Sequence, residues 1–71
     1  MSTDTIIELL GYAQGQECLV RLVLIDGTEV IGVPSSVDLH PTAYEAFIRP
    51  DGDDDTEIGI SLTAIASAEM V

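Results

Sequence analysis

Residues 19–33, LVRLVLIDGTEVIGV, decide the fold. Two runs of Val, Leu and Ile meet at Asp26-Gly27, and Asp-Gly between apolar runs is among the strongest short-range hairpin signals. The first run is apolar on both faces. Cys18, Val20, Leu22 and Leu24 alternate with Leu19, Arg21, Val23 and Ile25, whereas a strand with one face in water would alternate apolar with polar. The face carrying Leu19, Val23 and Ile25 is therefore expected to lie under a helix or against another subunit.

Upstream, residues 2–15 carry the marks of a short helix. Thr5 followed by Glu8 has the spacing of a capping box, Asp4 suits the positive end of the helix dipole, and Gly15 offers a stop. Ile6, Leu9, Leu10 and Ala13 fall on one face, and Gly11 weakens the helix by about 1 kcal/mol relative to alanine. Downstream, residues 29–33 return as a second strand in which Gly32 marks a bend, and Pro34 is expected to end regular pairing because it has no N–H to donate. Residues 35–42 then read as a loop and 43–49 as a third strand. On that strand Tyr44 and Phe47 fall on opposite faces. Phe47 is expected under the helix with Ile6, Leu9 and Leu10, the alternative being an exposed anchor beside Arg49. An acidic turn follows over 50–56, then a fourth strand over 57–62 with Ile58, Ile60 and Leu62 inward. A tight turn over 61–64 leads to a fifth strand over 65–70. One helix over 2–15 and five strands over 17–70 make a single mainly β domain spanning 1–71. We expect a strongly bent antiparallel sheet closed as a small SH3-like barrel, since an open sheet of this size would leave apolar edges exposed.

Composition narrows the function classes. A chain of 71 residues buries only about 60 % of the surface it exposes when unfolded, so a partner or a second copy would help it. Thirteen acidic residues face Arg21 and Arg49, with no lysine, for a net charge of −11. Small soluble domains usually carry about 2 to 8 in magnitude. Direct nucleic-acid binding is disfavoured, because affinity for a phosphate backbone comes largely from Lys and Arg. The acidity fits either a basic protein partner or a surface adapted to concentrated salt. Cys18 is the single cysteine, so no intramolecular disulfide forms and a cytoplasmic setting fits. Neither a signal peptide nor a membrane span is visible in the pattern.

The stretch 22–32, LVLIDGTEVIG, resembles the first motif of the Sm-like family, with its apolar strand, Asp-Gly turn and bend glycine. The resemblance implies an N-terminal helix and a five-stranded Sm-like barrel. Family members that bind RNA place an aspartate and an asparagine after the second strand and an Arg-Gly pair near the last turn. Here Asp38 matches the aspartate, but His40, Pro41 and Thr42 bring no asparagine, and Ser61-Leu62-Thr63-Ala64 stands where Arg-Gly belongs. The RNA pocket does not carry over. The chain is also similar to the small acidic Rof proteins, through its N-terminal helix, the hairpin over 24–30, Tyr44-Glu45 and Leu62-Thr63-Ala64-Ile65. That likeness implies an inhibitor that covers the RNA-binding surface of the termination factor Rho.

No chemistry-bearing constellation competes with these readings. Asp51, Asp53 and Asp55 have the 1, 3, 5 spacing of an EF-hand, but Thr56 occupies the glycine position and Leu62 the bidentate glutamate position. His40 lacks a second ligand at metal spacing and reads as turn chemistry before Pro41. Ser35, Ser36 and Cys18 have no adjacent base. No cofactor, metal site or enzymatic activity is expected. The expected function is a non-catalytic interaction protein in which Glu29, Glu45, Asp51, Asp53, Asp54, Asp55 and Glu57 face a basic protein surface, as an inhibitor or nucleic-acid mimic. The alternatives are a nucleic-acid-binding Sm-like ring subunit from a salt-loving organism, and a structural subunit of a larger assembly. Leu19, Val23 and Ile25 would then form the homo-oligomer contact.

Overall fold

The Asp-Gly signal produces a hairpin. Gly27 adopts a φ of 88°, and Leu24 N–H donates to Thr28 C=O at 2.8 Å, closing a loop over 25–27. The left-handed conformation there suits glycine, which has no Cβ to clash. The computed structural model describes residues 1–53 and 55–71. In chain order they form α1 (Thr3–Gln16), β1 (Val20–Leu24), β2 (Glu29–Asp38), β3 (Glu45–Pro50), β4 (Ile58–Ser61), a 3-10 turn (Leu62–Ala64) and β5 (Ile65–Met70).

The strands form one antiparallel sheet in the order β4-β3-β2-β1-β5. β4 and β5 are consecutive in the chain but lie at opposite edges, joined only by the 3-10 turn. The steps from Ser61 to Ile65 reach about 14 Å at most, whereas the edges of a flat sheet of this width lie about 19 Å apart. The sheet must therefore curl. The link is pinned on both sides, with Leu62 N–H donating to Tyr44 C=O at 3.0 Å and Ile25 N–H donating to Ala64 C=O at 2.9 Å. The result is the expected mainly β domain, a helix followed by a bent, barrel-like five-stranded sheet.

The bend lies in β2, which runs through Pro34 to Asp38 and does not end at the proline. Its first part pairs with β1 as far as Gly32↔Val20, and from Gly32↔Pro50 onward it pairs with β3. Asp51 N–H donates to Ile31 C=O at 3.0 Å, so by alternation position 34 turns its backbone away from β3. Pro34 thus lacks an N–H on the side that β1 has already left, and no ladder bond is lost. The register shifts between Pro34 and Ser36, leaving Ser35 as the bulge residue that lets the strand bend. At Gly32 a Cβ would run into the Arg49 carbonyl and lie 2.8 Å from Ile48 Cγ2.

The helix starts on Ser2, whose Oγ accepts from Thr5 N–H at 3.2 Å, so the Thr5–Glu8 box is corrected to a cap one turn earlier. It passes through Gly15 and ends at Glu17, left-handed at φ 54°. Glu17 N–H bonds Gln14 C=O and Cys18 N–H bonds Ala13 C=O, a Schellman closure that overrides the glycine stop. Ile6, Leu10 and Ala13 then join Val20, Leu22, Ala46, Ile48, Ile60, Leu62, Ile65 and Ala68 in the core. Each large side chain buried there stabilises the fold by about 1.5–3 kcal/mol.

The helix is excluded as the cover of Leu19, Val23 and Ile25, and Phe47 and Ile58 also differ from expectation. The helix packs on β2 and β5 and shares its core with Val20 and Leu22, leaving Leu19 and Val23 half-buried outside it and Ile25 74 % exposed. Phe47 is half-buried outside the core, its ring edge 3.2 Å from a Cβ built on Gly59. Ala46 and Ile48, its neighbours on β3, take the core face, so alternation puts Phe47 on the outer face, opposite Gly59 and away from Ile6, Leu9 and Leu10. Inward-facing Ile58 is also corrected in part, since it stands 37 % exposed at the edge.

Gly32→Ala should destabilise the protein by about 1–3 kcal/mol through overpacking against backbone. Gly11→Ala, with open space around its Cβ, should stabilise it by up to about 1 kcal/mol. Urea denaturation midpoints moving in opposite directions would bear this out, and equal midpoints for wild type and Gly32→Ala would contradict it.

Candidate functional site

Carboxylates so numerous need positions before they mean anything. In the turn over 51–57, Asp53 N–H donates to Pro50 C=O at 3.1 Å and Gly52 takes φ 84°. Asp53 Oδ2 accepts from the Thr56 hydroxyl at 2.6 Å, and Glu57 Oε1 accepts from the Ser35 hydroxyl at 2.9 Å. The Ser35 hydroxyl also lies 3.1 Å from Phe47 C=O, so its one proton is shared between the Glu57 carboxylate and the β3 carbonyl, and the bulge residue links the turn to β3. Asp51, Asp53, Asp55 and Glu57 are all exposed. Asp54, the remaining residue expected in this group, lies outside the described residues.

The other expected residues divide. Asp51 N–H on Ile31 C=O sets the base of the turn two positions along β2 from Glu29. Glu29 is partly neutralised, its Oε1 3.7 Å from Arg21, which also approaches Glu69 at 3.1 Å. The second contact is an ion pair without hydrogen-bond alignment, since Arg21 Nε has no hydrogen-bond partner among the described residues. Both pairs are exposed and contribute about 0–1 kcal/mol. Glu45 stands at the far end of β3, about 16 Å from Pro50 along the strand. It is opposite Asp38 on β2 and Ser61 on β4. The base of the turn and Glu29 thus lie toward one end of β2, and the Glu45 backbone lies at the other end of β3.

Sequence reasoning missed the Asp38–Glu45 pairing. Like charges directly opposite on neighbouring strands repel. The pairing depends on β2 continuing past Pro34, and the signal that could have found it is the bulge-forming Pro34-Ser35. Asp38 is also occupied locally, its Oδ1 accepting from His40 N–H at 2.9 Å, and His40 Nδ1 lies 2.8 Å from Thr42 Oγ1. These are turn bonds within one loop. Arg49, paired with Val33 across the sheet, has a buried Nε with no hydrogen-bond partner among the described residues.

Of the expected contact face, Leu19 and Val23 are half-buried and Ile25 projects from the hairpin loop. Among the described residues, no three His, Cys, Asp or Glu side chains converge as a metal site. No helix is long and apolar enough to cross a membrane. Compared with known proteins, the chain matches no family model and no curated protein.

One carboxylate is tuned by its turn. Thr28 N–H donates to Asp26 Oδ1 at 2.9 Å, and this bond, aided by the Thr28 hydroxyl, holds the Asp26 carboxyl below its ordinary value of 3.8. A lowered folded pKa contributes stability above pH 3.8 that is lost as pH falls through the folded value. Asp26→Ala should flatten the stability profile in that acidic window, measured by thermal unfolding at a series of pH values. An unchanged profile would contradict the assignment.

Proposed function

We propose that this protein is a non-catalytic interaction protein that binds a basic protein surface, acting as an inhibitor or a stand-in for nucleic acid. The observation that carries the reading is a charge of −11 with no lysine, combined with a hairpin turn whose Asp51, Asp53, Asp55 and Glu57 all face water. Such a turn projects a local negative field toward a partner, strongest within about 10 Å at 0.1 M salt. The resemblance to the Sm-like and Rof proteins supports the same reading, since an acidic barrel without the RNA-binding residues suits an inhibitor of an RNA-binding protein. A cytoplasmic location accords with this role.

The ring-forming alternative needs both sheet edges open for pairing. Met1 lies along the outer side of β5, which counts against it.

The test is charge reversal. Asp51, Asp53 and Asp55 replaced together by lysine should abolish retention of the partner that wild type captures from native lysate. Retention by wild type should fall steeply as salt rises. Retention unchanged by reversal or by salt would overturn the electrostatic reading. A protein that unfolds in dilute buffer and refolds only in molar salt would assign the acidity to its solvent.

A further inference from the structure

The edges of this sheet differ. An edge strand offers unpaired backbone groups, which natural sheets blunt with charge, proline, a bulge or a covering segment. β5 is covered. Val71 N–H donates to Leu19 C=O at 3.2 Å, so by alternation Ala66 and Ala68 turn their backbone groups outward. The Met1 nitrogen donates to Ala66 C=O at 3.3 Å, and Ala68 N–H donates to Met1 Sδ at 3.3 Å. One residue occupies this edge.

β4 has no such cover among the described residues. Leu62 N–H bonds Tyr44 C=O, so Ile58 and Ile60 turn their backbone groups toward β3, and Gly59 and Ser61 turn theirs outward. The strand reads Ile-Gly-Ile-Ser, pairs with β3 without a register shift, and is exposed at every position but Ile60. It carries no charge, proline or bulge.

We infer that β4 is a strand-addition site for an extended segment of a basic partner protein, an inference that rests on the proposed function. The occupant follows from charge. A strand laid antiparallel on β4 would continue at its C-terminal side past Glu57, Asp55 and Asp53, where Lys or Arg would be matched. A second copy of this chain would place Leu62-Thr63-Ala64 there, bringing no cation and a further −11 of charge.

Ser61→Pro tests the edge. Ser61 has φ −59° and ψ 132°, which proline adopts, and its N–H faces away from β3. The probe is a synthetic peptide of alternating Val and Thr ending in Lys-Arg-Lys, followed by fluorescence anisotropy and amide hydrogen exchange. The wild type should bind it with slowed exchange at Gly59 and Ser61, and Ser61→Pro should bind about tenfold more weakly with its thermal midpoint kept. Should that variant fail to fold, N-methylated peptides serve with the wild type. Methylating one alternate set of peptide nitrogens should abolish binding, and methylating the other set should spare it.

Failure to bind the peptide, or equal binding by Ser61→Pro and both methylated peptides, overturns the inference. If only the Asp51, Asp53 and Asp55 reversal weakens binding, the edge is excluded while the acidic-surface reading stands. Protection of Gly59 and Ser61 in a peptide-free dimer overturns the choice of occupant.

Discussion

The fold depends on β2 changing partners while it bends between Gly32 and Ser36. Gly32 pairs with Val20 on one side and Pro50 on the other, so the same residue belongs to both parts of the sheet. The absence of a side chain there is a packing requirement, because the Arg49 carbonyl lies where a Cβ would go. Beyond it, Pro34, whose missing N–H falls on the side away from β3, and the bulge at Ser35 turn the strand. The curl this creates brings the outer strands within reach of the short link Leu62–Ala64, and α1 then covers the core with Ile6, Leu10 and Ala13.

The same bend arranges the polar surface. Ser35 ties Glu57 to the β3 backbone, and Asp51 is held to Ile31, so both ends of the acidic turn are fastened to β2. A fastened turn presents its carboxylates with less ordering cost on binding than a floppy one. The bend also carries β2 on to Asp38, which meets Glu45 at the other end of β3. Charge therefore lies in two places, the turn over 51–57 and the Asp38–Glu45 pair.

Local signals made much of this legible. The Asp26-Gly27 turn, the helical stripe of Ile6, Leu10 and Ala13, the alternation of Ile60 and Leu62, and the fifth strand over 65–70 are each set by neighbours a few residues away. Part of what escaped was set by distant ones. Pro34 is excluded from a ladder only if its missing N–H is needed, and whether it is needed depends on where β1 ends. Glu17 terminates the helix through bonds from two consecutive N–H groups, which outweigh the glycine preference two positions earlier. Phe47 falls outside because Ala46 and Ile48 on either side of it take the core face of β3, and alternation leaves the outer face to Phe47. The acidic turn was visible in composition, but the place of Glu45 was not, since it depends on β2 continuing past Pro34 and on the register shift at Ser35.

A continuous, bent β2 is the central claim, and nuclear Overhauser contacts between Hα atoms test it most directly, because non-hydrogen-bonded antiparallel pairs bring Cα atoms within about 4.5 Å. The structure predicts cross-peaks for Gly32–Pro50 and Pro34–Ile48 before the bulge and for Val37–Ala46 after it. Presence of the first with loss of Val37–Ala46 would mean that the strand ends at Pro34, and the account of the bend would be wrong.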